Sequence, residues 1–252
     1  MDITNVALLL CAGLAAGTVN AIAGGGSLIT FPALITTGLG SLAANVTNSV
    51  SVFPGYCASV YGSRADLPRG RSVLAVLPTA AVGAAVGCWL LLVTPARAFE
   101  LIVPFLVLAA AVILAFQQRL RTVVGHPRDL SPRRRVVTLH GMVFVGAVYG
   151  GYFGAALGVM LVAALGLVLD ETLARVSAVK NAVSAVVGLV TVVVFGVSGR
   201  VDWADVAVVA PATLVGGYVG ARIARRLPAP VLRAVIVTFG IVVGLYLLWR
   251  AL

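Results

Sequence analysis

The chain has one lysine in 252 residues, Lys180, and only eight acids. Those acids (Asp2, Asp66, Glu100, Asp129, Asp170, Glu171, Asp202 and Asp205) all fall at the ends of apolar segments or in loops. With no Asp or Glu inside an apolar segment, a carboxylate proton relay across a membrane is not expected. Acid–base catalysis on a membrane-embedded substrate also loses its usual side chains. Charge of either sign is scarce, at 10% of residues against about 25% in a soluble domain, while 61% are hydrophobic against about 45–50%. That composition excludes an ordinary water-soluble domain. The apolar runs are continuous, which excludes a membrane β-barrel built of alternating segments of about 10 residues. The chain is therefore read as all-α: a polytopic helical bundle of a cell (plasma or inner) membrane, with the lipid bilayer as its solvent.

Cysteine is sparse too. Cys11, Cys57 and Cys88 are odd in number, far apart and within apolar segments, with no CxxC or Cys/His spacing. They read as small buried hydrophobes, and neither a metal nor a cofactor is expected. No Lys or Arg precedes the first apolar run, so the start lacks the positive region of a cleaved secretory signal and reads as a retained first helix.

What is abundant is arginine in loops, as in Arg133-Arg134-Arg135, giving a net charge of +10. In a membrane protein this is the excess of cations on cytoplasmic loops, so nucleic acid is not an expected partner. The apolar segments run over about 5–23, 27–39, 42–62, 72–93 and 98–118, then 136–153, 155–169, 173–197, 203–224 and 229–250. Eight are long enough to cross a hydrocarbon core of about 30 Å. The second and seventh are short, and each follows a glycine-bearing break, Gly24-Gly25-Gly26 and Gly150-Gly151 to Gly154. The longest polar connection divides the chain into a first membrane repeat (1–118), a basic linker (119–135) and a second membrane repeat (136–252).

The halves match at one constant offset. Pro78 pairs with Pro211, Gly83 and Gly87 with Gly216 and Gly220, Asn48 with Asn181, Ser51 with Ser184, and Gly55 with Gly188. Equivalent loops differ in charge: Ser63–Arg71 is basic where its counterpart near Gly196–Asp205 is acidic, and the next loop pair reverses the pattern. Basic loops face the cytoplasm, so the repeats are expected to be inverted, with about five membrane segments each, the N-terminus outside and the linker cytoplasmic. If the short segments were instead re-entrant, each half would cross four times and the repeats would be parallel. The paired GxxxG motifs suit close helix packing inside the bundle, or a homodimer seam.

Lys180 lies in the apolar stretch Ala174 to Phe195. A buried cation is costly unless something neutralises it, and with no acid in the apolar segments the simplest candidate is an anionic substrate. A helix break frees backbone N–H groups at the start of the next half-helix, whose dipole favours an anion. The first break offers Asn20, Gly24, Gly25, Gly26 and Ser27, with Ser27 expected to cap the next helix and Thr30 to face the same way one turn on. In the third segment Asn45 reads as an N-cap, while Thr47 and Asn48 are the repeat counterparts of Lys180 and Asn181. These are the candidate substrate-binding residues. His140, in the sixth segment, is the candidate for proton coupling, and hydroxyls and carbonyls leave sodium coupling open.

The stretch Gly17–Thr47, GTVNAIAGGGSLITFPALITTGLGSLAANVT, resembles the sulfite exporter TauE/SafE family of membrane permeases, as do Ala44-Asn45-Val46-Thr47-Asn48 and Val179-Lys180-Asn181. Pro32 and Ala33 sit where that pattern expects them. The second half, Phe153-Gly154-Ala155-Ala156-Leu157-Gly158, lacks the full glycine triplet. The resemblance implies a permease for sulfite, sulfonates or related small sulfur-containing anions, and rocking of one half against the other is expected to alternate access to the site. The alternatives from other classes are an anion channel and an intramembrane lipid-phosphate enzyme, the latter short of catalytic groups.

Overall fold

The computed structural model describes residues 2–22, 24–68, 71–116, 132–169, 171–223 and 229–251. Among these the chain is helical throughout, without strands. Ten α-helices follow one another: α1 (Ile3–Ile22), α2 (Ser27–Thr36), α3 (Ser41–Gly62), α4 (Arg71–Val93), α5 (Ala96–Ala115), α6 (Pro132–Tyr152), α7 (Leu157–Val168), α8 (Leu173–Gly196), α9 (Trp203–Ile223) and α10 (Ala229–Ala251). Most of the expected linker lies outside the described residues. Its last part, Pro132 to Arg135, is the first turn of α6 rather than connection. Proline at this first position needs no helical N–H partner, which suits it to start the helix.

Among the described residues, five helices are long and apolar enough to cross a membrane: Ile3–Ile22, Ala75–Val93, Ala96–Ile113, Ala174–Gly196 and Trp203–Ile223. Helix α3 is as long, at 22 residues, but it carries a polar face of Asn45, Thr47, Asn48, Ser49 and Ser51 that is buried in the protein. The outer surface is apolar, with Val82, Phe105, Val145, Leu189 and Val193 all exposed. Hydrocarbon, not water, is the solvent such a surface fits. Cys11 and Cys57 are also exposed, so the expectation of three buried cysteines holds for Cys88 alone. A small thiol costs little on a lipid-facing helix side, and sequence alone does not say which side that is.

The two short elements are the second of each set of five. Helix α2 has 10 residues and α7 has 12, or about 15 and 18 Å of rise, too little for the hydrocarbon core. Both lie in the interior. Packing partners repeat when the sets are exchanged: α1 lies on α9 as α6 lies on α4, α3 on α9 as α8 on α4, and α2 on α1 and α3 as α7 on α6 and α8. The glycines permit these contacts. An added methyl at Gly83 would meet Phe144 O, and one at Gly87 would meet Val148 O, both on α6; at Gly216 and Gly220 it would meet Leu14 O and Thr18 on α1. Each GxxxG pair thus seats a helix within the bundle.

Helix directions follow from the same contacts. Gly13 of α1 faces Ala212 of α9 and Gly17 faces Gly217, so α1 and α9 run parallel. Gly188 of α8 lies against Phe53 and Tyr56 of α3, while Asn181 reaches Ser59 and Ser63, so α3 and α8 run antiparallel.

Candidate functional site

The first break pins itself. Gly24 turns the chain with φ 84°, its N–H donates to Val19 O at 2.9 Å, and Gly26 N–H donates to the side-chain Oδ1 of Asn20 at 2.8 Å. Glycine at 24 suits the left-handed backbone there. The second break uses Gly154 (φ 75°) and, without glycine, Ala156 (φ 57°), held by a bond from Tyr149 Oη to Ala155 O at 2.7 Å. Gly24 of one break lies against Gly158 at the start of α7. The two interrupted elements therefore cross at a pair of glycines in the interior.

Each interruption creates a negative helix end, where carbonyls are left over, and a positive one, where N–H groups are. The negative ends receive donors from the opposite set of five helices. At the end of α1, Lys180 of α8 donates from Nζ to Asn20 O at 2.7 Å and, more weakly, to Ala21 O at 3.4 Å. At the end of α6, Asn45 of α3 donates from Nδ2 to Tyr152 O at 2.9 Å. At the positive ends, the starts of α2 and α7, the N-cap residues Gly26 and Ala156 bring no capping side chain, and at α2 Asn20 Oδ1 takes the Gly26 N–H. Two helix N-termini and one ammonium so converge on the Gly24–Gly158 crossing, an arrangement that favours a small anion.

Lys180 is 1% exposed, and no described acid pairs with it. Its four-carbon stem runs beside Gly158, whose added methyl would come within 3.0 Å of Lys180 Cδ. The sequence reading left the ammonium to be neutralised by substrate alone. The structure adds the α1 carbonyls, which accept from two of its three N–H donors and leave the third. A cavity of about 20 Å³ opens beside the second break, lined by Ser27, Ser49, Tyr56, Gly154 and Thr191. That is room for little more than a water molecule.

The other expected site residues separate. Asn20, Gly24, Gly26 and Lys180 meet at the crossing, with Gly25 between the two break glycines. Thr30 donates its hydroxyl proton to Asn48 Oδ1, tying α2 to α3 within the interior. Ser27 is the first residue of α2 rather than its cap; Gly26 holds the cap position, and Ser27 lies beside Tyr56. Thr47 turns to the α8–α9 connection, where its Oγ1 accepts from Asp202 N–H at 3.0 Å. Asn181 donates from Nδ2 to Ser63 Oγ at 3.1 Å, and its Oδ1 is a buried acceptor with no partner. His140 stands apart, half-buried, with Nδ1 3.0 Å from the Val136 carbonyl of its own helix. Arg175 pairs with Glu171 at the exposed start of α8.

Two residues take positions that the sequence does not reveal. Asn45 is no helix cap, since α3 begins four residues earlier at Ser41; it is buried and reaches the opposite break. Its signal was an amide in an apolar segment. Asp205, expected at a segment end, is there, in the first turn of α9, but it is buried. Nothing in the sequence places the end of α2 over it. Asn45→Ala leaves Tyr152 O without its buried donor, and the protein is expected to lose about 1–3 kcal/mol in a thermal melt. A melting curve matching the unaltered protein would mean that the contact contributes nothing.

The family model described as "Sulfite exporter TauE/SafE" matches residues 9–247. Curated relatives agree. A "Probable membrane transporter protein" of Haemophilus influenzae is 28% identical over 237 residues, covering 92% of this chain and 90% of that one. "Probable membrane transporter protein ORF9" of Sinorhizobium sp. is 28% identical over 251 residues, covering 96% and 92%. "Probable membrane transporter protein YfcA" of Escherichia coli K12 is 27% identical over 224 residues, covering 87% and 79%. No solved structure matches the chain.

Proposed function

As the chain belongs to the sulfite exporter TauE/SafE family of membrane transporters, we propose that it is a secondary carrier for a small anion, namely sulfite, a sulfonate or a related sulfur oxyanion, working by alternating access. The observation that carries this reading is the buried Lys180 ammonium beside two helix N-termini whose N-cap residues, Gly26 and Ala156, bring no capping side chain. An oxyanion arriving there gains a charge-assisted bond from the third ammonium proton and completes both helix ends. The match of packing partners between the two sets of five helices, and the antiparallel run of α3 and α8, support inverted repeats that rock about the crossing. In the proposed orientation the N-terminus is outside and the linker 119–135 cytoplasmic, by the arginine content of the loops.

The test is reconstitution. Purified protein in liposomes is expected to move ³⁵S-labelled sulfite with saturable, counter-anion-accelerated kinetics, well above empty vesicles. Flux that never saturates, or discrete single-channel currents at fixed voltage, would decide for a channel. Indifference to sulfite, sulfate, thiosulfate and taurine alike would remove the sulfur-anion reading.

A further inference from the structure

Asp205 is buried, at 4% exposure, and takes no part in the anion site described above. Its surroundings bear on its protonation state. Thr37 is the side chain that reaches it, with Oγ1 3.4 Å from Asp205 Oδ2, yet the same hydroxyl lies 2.8 Å from Leu34 O. A hydroxyl has one proton. With that proton given to Leu34 O, Thr37 offers Asp205 a lone pair, and a bond between them needs a proton on the carboxyl. Thr37 also closes the C-terminal end of α2, the negative end of that helix, which disfavours a neighbouring anion. Against this, Asp205 lies in the first turn of α9, whose N-terminus favours the anion, and Asp202 caps that turn by accepting from the Asp205 N–H at 3.1 Å. Asp202, whose carboxylate accepts from the Asp205 N–H, is the charged side chain placed beside it among the described residues. Helices α1 and α3, packed along α9, and α2 bring no charged side chain. The helix ends and the hydroxyl around Asp205 thus act on its carboxyl in opposite directions, and the geometry accommodates a proton on it.

We propose that Asp205 is a proton-binding carboxyl that couples proton movement to anion transport through α2. The proposal rests on the carrier reading for its partner flux. The step is simple: an Asp205 carboxylate oxygen takes a proton from hydronium, leaving water and forming the O–H that bonds Thr37 Oγ1, and on release gives that proton to a water molecule as hydronium. Helix α2 transmits the state because it touches Asp205 through Thr37 at its end and Asn48 through Thr30 nearer its start. Thr47, next to Asn48, accepts from Asp202 N–H, so α3 and the head of α9 move with the same contacts.

Labelling tests the proton site without any substrate. Dicyclohexylcarbodiimide adds to carboxylic acids in apolar surroundings, giving a stable acylurea that peptide mass spectrometry locates. The purified protein is expected to carry the adduct on Asp205 near neutral pH, with labelling falling as pH rises and exposed Glu100 unlabelled. No adduct on Asp205 at any pH, or an adduct abolished by sodium ions at constant pH, overturns the proposal, the latter in favour of a bound cation. In liposomes, a pH gradient is expected to accelerate sulfite flux several-fold and Asp205→Asn to lose that response. Labelled Asp205 without sulfite flux would leave the proton site standing and remove the sulfite reading. Sulfite flux by the unaltered protein that ignores a pH gradient would do the reverse.

Discussion

Lys180→Ala is expected to cut sulfite flux in proteoliposomes about 100-fold, the cost of removing one partner of a desolvated charge-assisted contact. The loss falls on transport more than on folding. Removing the ammonium leaves Asn20 O and Ala21 O short of a donor, but it also removes a buried cation, and the two effects oppose. Lys180→Arg is expected to fail nearly as badly. The lysine stem passes closely beside Gly158, and the broad planar guanidinium has no room to turn toward the crossing. Lys180→Met keeps the stem without the charge and separates packing from electrostatics: it should melt close to the unaltered protein and still not carry sulfite. Full flux through Lys180→Met would remove the ammonium from the mechanism and leave the family relationship as the ground for an anion.

Gly24→Ala is expected to be the most damaging single methyl in the chain. Alanine at φ 84° costs about 1–2 kcal/mol from backbone sterics alone. The methyl would also drive into Gly158 Cα, and backbone on both sides leaves no flexible side chain to yield. The sum should lower the melting temperature by roughly 10 °C or abolish the folded protein. Gly38→Ala is the matched control. Its φ of 105° imposes comparable strain, yet nothing lies within 4 Å of the added methyl. The difference between the two melting curves isolates the crossing of the broken elements. If both variants melt alike, the two breaks do not touch, and the converging helix ends that define the anion site go with them.

Much of this was legible in the residues. Segment order and length, the two breaks and the pairing of GxxxG motifs follow from hydrophobic runs and glycine placement, which are local properties. Lys180 stood out because a lone cation in an apolar run needs a partner somewhere. The partner was not legible: the carbonyls of Asn20 and Ala21 come from residues some 160 positions earlier, brought within reach by the fold. Asn45 and Thr47 belong to one polar run, which by itself suggests a cap at the first and a substrate contact at the second. On a helix they point in different directions, one to the second break and the other to the head of α9.

Composition alone determined that the chain lives in lipid, since a surface this apolar has no stable arrangement in water, and spacing alone placed the interruptions. Tertiary structure decided which orphaned helix ends receive donors, and that Asp205 at a helix start is buried beside Thr37. The physical reason is range. Hydropathy and backbone freedom act within a few neighbouring residues, whereas satisfying a buried charge or carbonyl depends on groups far apart in the chain that meet only when the helices pack.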